Sequence, residues 1–130
     1  MALHYRIYPE ERILVVRSEG IVTQPERVQT LLAWLADPEY QTCIGALCDF
    51  SESESTPERA EMLELLDLLA RHRPAGGPTK VAIVAPMIIT FGVARVFEDM
   101  VDSSAIPLEV KVFDDPELAW AWLAPSGQAI

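Results

Sequence analysis

Apolar positions along the chain change period several times, and each change marks an element. LHYRIY (3 to 8) alternates aromatic or aliphatic with polar residues, as a half-buried strand does. PEER makes a charged turn. ILVVRSEG (13 to 20) is a second strand closing at Gly20, so the pair predicts a hairpin. The period then becomes helical, with Val28, Leu31, Leu32 and Leu35 on one face. Thr23 and Glu26 stand ahead of it at capping-box spacing, Pro25 falls in the first turn, and Asp37-Pro38 stops the helix.

Two nearly continuous apolar runs follow, CIGALCDF (43 to 50) and KVAIVAP (80 to 86), a pattern that suits strands covered on both faces. Between them an acidic loop, SESES, leads into a second helix with Met62, Leu65, Leu66 and Leu69 on one face. Ser55 and Glu58 repeat the capping-box spacing, with Pro57 in the first turn. Arg71, His72 and Arg73 complement the dipole where this helix ends, and PAGGP is a breaker loop. A third helix is predicted from about Thr90 to Val101, with Val93, Val96, Phe97 and Met100 along one face. LEVKVFD (108 to 114) is the last strand. Asp115-Pro116-Glu117 opens a last helix whose Leu118 and Trp122 are expected to pack inward, with Trp120 half exposed.

The order ββαβαβαβα predicts a single-domain α/β fold. Its sheet is mixed, mostly parallel, of about five strands, with four helices and right-handed crossovers. The domain covers 1–124, and PSGQAI (125–130) is expected to be a frayed tail. There is no internal repeat and no low-complexity tract.

Several segments together resemble the STAS superfamily, and most closely the bacterial SpoIIAA-like proteins, whose fold is also similar to the CRAL-TRIO lipid-binding domains. They are the hairpin ending in G-I-V-T, the strand ending Cys48-Asp49-Phe50, AIVAP followed by FGVARVFE, and VFDDPELAWAWL. The resemblance implies a STAS-like fold more than an activity; some relatives are regulatory protein-interaction modules, and such a role is the expectation here. Sporulation-type relatives carry a phosphorylated serine in a D-S-S-G motif after the third strand. Here that region reads DFSESESTPER, with Pro57 and Glu58 near the serine's place, so the usual switch is missing. Asp102-Ser103-Ser104-Ala105 falls after the third helix, in the wrong element. Ser51, Ser53 and Ser55 are read as solvated loop serines, because Glu52 and Glu54 make added phosphate unfavourable.

Ten basic against twenty acidic residues give a net charge of −10, which disfavours nucleic acid and anionic membranes. Half of the 130 residues are hydrophobic, enough for a real core. The start, MALHYRIYPEER, lacks a signal peptide's apolar region, and no apolar run is long enough for stable membrane insertion. A cytoplasmic location is expected. Cys43 and Cys48 lie five apart on what reads as one strand, roughly 16 Å along it and on opposite faces, so they do not bridge. They are read as thiols of a reducing compartment.

No catalytic residue emerges. His4 and His72 lack partners at ligand spacing, so no metal site is expected. No nucleophile elbow, phosphate loop or dinucleotide fingerprint is present, and no cofactor is implied.

Ligands of parallel α/β sheets bind beyond the carboxyl ends of the strands. Two such ends carry the candidate site: Asp49 and Ser51, and the segment from Met87 through Ile89, Thr90, Phe91 and Gly92 to Arg95. Thr90 as helix cap, Gly92 for close approach and Arg95 one turn on make an anion-binding arrangement. Met87, Ile88, Ile89 and Phe91 add an apolar wall. The same residues have a purely structural reading: a cap, an Arg95 paired with Glu98 or Asp99, and an apolar plug at the end of the sheet. Two functions follow. One is a regulatory module binding an unknown protein partner, with a homodimer included. The other is a carrier or sensor of a small amphipathic, lipid-like anionic ligand. An enclosed cavity lined by residues 87 to 91 favours the ligand; an exposed patch favours the interface.

Overall fold

The hairpin forms as its alternation requires. β1 (Leu3–Tyr8) and β2 (Ile13–Gly20) pair antiparallel, with Leu3 opposite Ser18 and Tyr8 opposite Ile13. From β2 onward the strands are parallel, each reached through a helix: α1 (Gln24–Ala36), β3 (Gly45–Ser53), α2 (Arg59–His72), β4 (Lys80–Val84), α3 (Ile88–Asp102) and β5 (Glu109–Phe113). The last helix, α4, spans Pro116–Leu123. The sheet order is β1-β2-β3-β4-β5. This computed structural model describes residues 2–124; the tail expected to fray lies outside the described residues.

The two sheet faces are covered unequally. Leu14 and Val16 of β2, Ala46 of β3, and Ile83 and Val110 of β4 and β5 turn toward the layer made by α1, α2 and α3. Ile13, Leu47, Ala82 and Val84 turn the other way, onto α4 through Ala119 and Leu123. That second layer is tight. A Cβ at Gly45 would stand 2.9 Å from Leu123 Cδ2.

Several expected details differ. Thr23 does cap α1, accepting the Glu26 N–H, but the Glu26 carboxylate completes no box; it accepts the Ala2 and Leu3 N–H groups and ties α1 to the edge strand. A 3-10 turn, Pro38–Thr42, follows α1, so Cys43 precedes β3 and shares no strand with Cys48. β3 runs on through Ser53, because Glu52 and Ser53 pair with Glu19 and Gly20. α2 starts at Arg59 rather than at Ser55. Glu61 accepts the Glu58 N–H at 2.8 Å, whereas Ser55 Oγ accepts the Val22 N–H. Leu118 is 57% exposed, not inward; the small Ala119 lets α4 settle close to the sheet and turns the Ala119–Leu123 stripe inward. Val96 of α3 is likewise exposed, and Ala94 and Val101 are its buried positions.

Candidate functional site

The carboxyl ends of β3 and β4 are neighbours, as the candidate site required, with Asp49 opposite Val84. Asp49 Oδ1 accepts the Ser51 N–H at 2.9 Å, closing its own turn, and Oδ2 lies 3.8 Å from Arg17 Nε. α3 begins two residues earlier than the sequence suggested, at Ile88, with Met87 at the cap position. Thr90 is therefore not the cap. Its hydroxyl lies inside the first turn and donates to the Met87 carbonyl at 3.0 Å. Gly92 stands on an exposed surface where a Cβ would meet nothing within 4 Å, so no close approach requires a glycine. Arg95 pairs with Glu98 at 3.2 Å. Phe91 is half-buried against the β4–β5 side of the core.

The apolar run neither plugs the sheet nor lines a cavity. Met87, Ile88 and Ile89 are 61%, 90% and 74% exposed. Of the eight candidate residues, Thr90 alone reaches the apolar space described next.

That space lies between the sheet and the three-helix layer. It is an apolar cavity of about 200 Å³, with Val16, Cys48 and Ile83 in its floor and Leu31, Leu65 and Phe97 in its roof. α2 is the reason it exists. This helix packs along α1, fully buries only Met62, and stands off the sheet. Its inward leucines are consequently half-buried inside the protein. Cys48 reports the same gap. Burial, reinforced by Asp49, pushes its thiol up to about 12, yet part of its surface remains uncovered, because that part faces the cavity.

One end of the cavity is polar. Ser18, Arg27, Ser53, Ser55 and Thr56 line it. Ser18 Oγ meets Ser53 Oγ at 3.3 Å, Ser53 Oγ donates to the Ser55 carbonyl at 2.9 Å, and Ser55 holds the Val22 N–H at 2.8 Å. Ser53 and Ser55, read from sequence as solvated, are thus part of an internal network. Arg27 is 12% exposed in its side chain. Its Nη1 donates to Gln24 Oε1 at 3.1 Å and lies 3.7 Å from Glu61 Oε1. Burial lowers its pKa, opposed by the charges of Glu61 and Glu26.

These five residues were missed, although the sequence held a signal for two of them. Ser18 continues the inward alternation of Leu14 and Val16, and Arg27 sits one helical turn before Leu31 on the apolar stripe. Among the described residues no group of three His, Cys, Asp or Glu side chains is placed to hold a metal ion, and no helix is long and apolar enough to cross a membrane.

A five-stranded sheet with three helices over one face and a short helix over the other makes this a small α/β domain, with an apolar cavity under the larger layer. A solved structure from Shewanella loihica PV-4, an uncharacterized protein from the DUF3478 family with a SpoIIAA-like fold, is similar at a TM-score of 0.61. The two share 22% identity over 95% of this chain and 93% of that one. The chain thus has the SpoIIAA-like, STAS-like fold that its segments implied. No family model and no curated protein matches it.

Proposed function

We propose that the chain is a non-catalytic regulatory module that binds a small amphipathic molecule in the cavity beneath α1, α2 and α3. The cavity itself carries this reading. Closed and dry, a void of 200 Å³ would cost at most about 5 kcal/mol at about 24 cal/mol per Å³. That is a large share of the 5–15 kcal/mol that holds a typical domain folded. An apolar guest restores the lost contacts and offsets the cost. Of the site residues expected from sequence, Thr90 keeps a place at this cavity, and Arg27 takes the cationic role first given to Arg95.

The exposed apolar run favours a second reading, a protein-interaction surface formed by Met87, Ile88 and Ile89 beside Asp49, Ser51, Phe91, Gly92 and Arg95. The two readings are compatible, since α3 presents one face to the cavity and its amino end to solvent. A homodimer through this run belongs to the second reading.

Native mass spectrometry of freshly purified protein tests both. A co-purified small organic mass supports the cavity reading, and a ligand-free dimer supports the interface. Protein that arrives empty and takes up no octan-1-ol overturns the cavity reading.

A further inference from the structure

The cavity is chemically directional, and that narrows its guest. Its floor and roof are mostly hydrocarbon, while Arg27 and the hydroxyls of Ser18, Ser53, Ser55 and Thr56 gather at one end, where β2 and β3 finish and α1 and α2 begin; Tyr40 lines it before β3 and Thr90 on α3. Both helices present their amino ends there, which favours negative charge. Among the described residues, Arg27 is the one cation in the lining.

Arg27 is also incompletely paired. The Glu61 carboxylate spends its short hydrogen bond on the Glu58 N–H at 2.8 Å and approaches the guanidinium only to 3.7 Å. The other nearby carboxylate, Glu26, accepts the Ala2 and Leu3 N–H groups at 2.9 and 3.0 Å. Among the described residues, neither Nε nor Nη2 of Arg27 finds a hydrogen-bond acceptor. A guanidinium offers five donors, and those on Nε and Nη2 remain accessible and open to an acceptor on a guest. Carboxylate is the planar anion that matches the guanidinium fork.

We propose that the cavity selects a monocarboxylate with a short apolar tail, its head on Arg27 beside the Ser53–Ser55 hydroxyls and its tail over Cys48. This rests on the cavity reading above and deepens it. Size follows from volume. A cavity of about 150 Å³ holds benzene, so 200 Å³ takes a tail of about seven to nine carbons. Long-chain acids do not fit.

The test is titration of the intact protein with sodium octanoate, octan-1-ol and octylamine by isothermal calorimetry. Octanoate is expected to bind about tenfold tighter than octan-1-ol, the gain of a charge-assisted over a neutral hydrogen bond, with octylamine weakest. Arg27→Gln should erase the octanoate preference while leaving octan-1-ol affinity unchanged, which a merely unfolded variant would not do. Glu61→Gln, which keeps an acceptor for the Glu58 N–H, should strengthen octanoate binding alone. Equal binding of acid and alcohol, or a preference that survives Arg27→Gln, overturns the headgroup assignment and leaves the cavity reading standing. Failure of all three compounds to bind overturns both.

Discussion

Replacing Cys48 by leucine asks directly whether the space above β3 is open. Cys48 stands mid-sheet, between Val16 and Ile83, and looks into the cavity. Leucine extends two carbons beyond what the thiol fills, worth about 1.5 kcal/mol at about 0.8 kcal/mol per buried carbon. Ordering the leucine rotamer returns about 0.5–1 kcal/mol. The net is a gain of up to about 1 kcal/mol, or about 4 °C in Tm for a chain of this size. In a closed core the same change would lose about 1–3 kcal/mol through overpacking. Ala82→Leu is the internal control. Ala82 is fully buried on the opposite face, against α4, and does not line the cavity, so it should show that loss. Urea unfolding of the two variants beside the parent gives both numbers, and unchanged m-values establish that the folded states are comparable. The variant should also take up less octan-1-ol, since its side chain occupies the guest's place. If Cys48→Leu loses as much stability as Ala82→Leu, there is no usable space there and the cavity argument fails.

Alkaline stability provides an independent check on the same residue. The folded-state pKa of Cys48, about 12, lies above its ordinary value of 9.0, so the folded chain keeps a proton that the unfolded chain has lost. Stability from this group is complete below pH 9 and declines as pH rises toward 12. Cys48→Val should flatten that decline in urea midpoints measured from pH 8 to 10.5, with Cys43, Tyr5 and Tyr40, also raised by burial, supplying the remainder; identical slopes would reject the assignment. Gly77 has φ of 116° and a Cβ there would stand 2.7 Å from Tyr40 Cε2, so Gly77→Ala should cost about 1–3 kcal/mol by urea unfolding. A smaller loss means the PAGGP loop relaxes freely. Ile88→Gln and Ile89→Gln, at exposed positions, should each shift stability by less than about 0.5 kcal/mol. If the dimer reading is right, they should also lower the dimer fraction in sedimentation velocity, and a loss above 1 kcal/mol would restore the plug interpretation.

Element order and sheet class were legible because their signals are local. Alternation in LHYRIY, the covered runs around Ala46 and Ala82, and the prolines at 25, 38 and 116 act within a few residues of themselves. Boundaries were less legible where a distant partner decides them. Ser53 joins β3 only because Gly20 lies beside it, and Ser55 leaves its capping role only because Val22 offers an N–H across the fold. The inward stripe of α4 depended on how closely Ala119 could approach the sheet, which periodicity does not encode.

The sequence by itself determined that this chain folds as a ββαβαβαβα domain, since hydrophobic period and turn chemistry are written residue by residue, and the resemblance of its segments implied the SpoIIAA-like fold. It also placed the exposed run at Met87 to Ile89, without deciding which way those side chains faced. Only the tertiary structure decided where a guest fits. A cavity is a distance between elements, here the stand-off of α2 from the sheet, and no single residue carries it. The same stand-off turns Ser18 and Arg27, unremarkable in a strand and a first helical turn, into the polar end of a mostly hydrocarbon space.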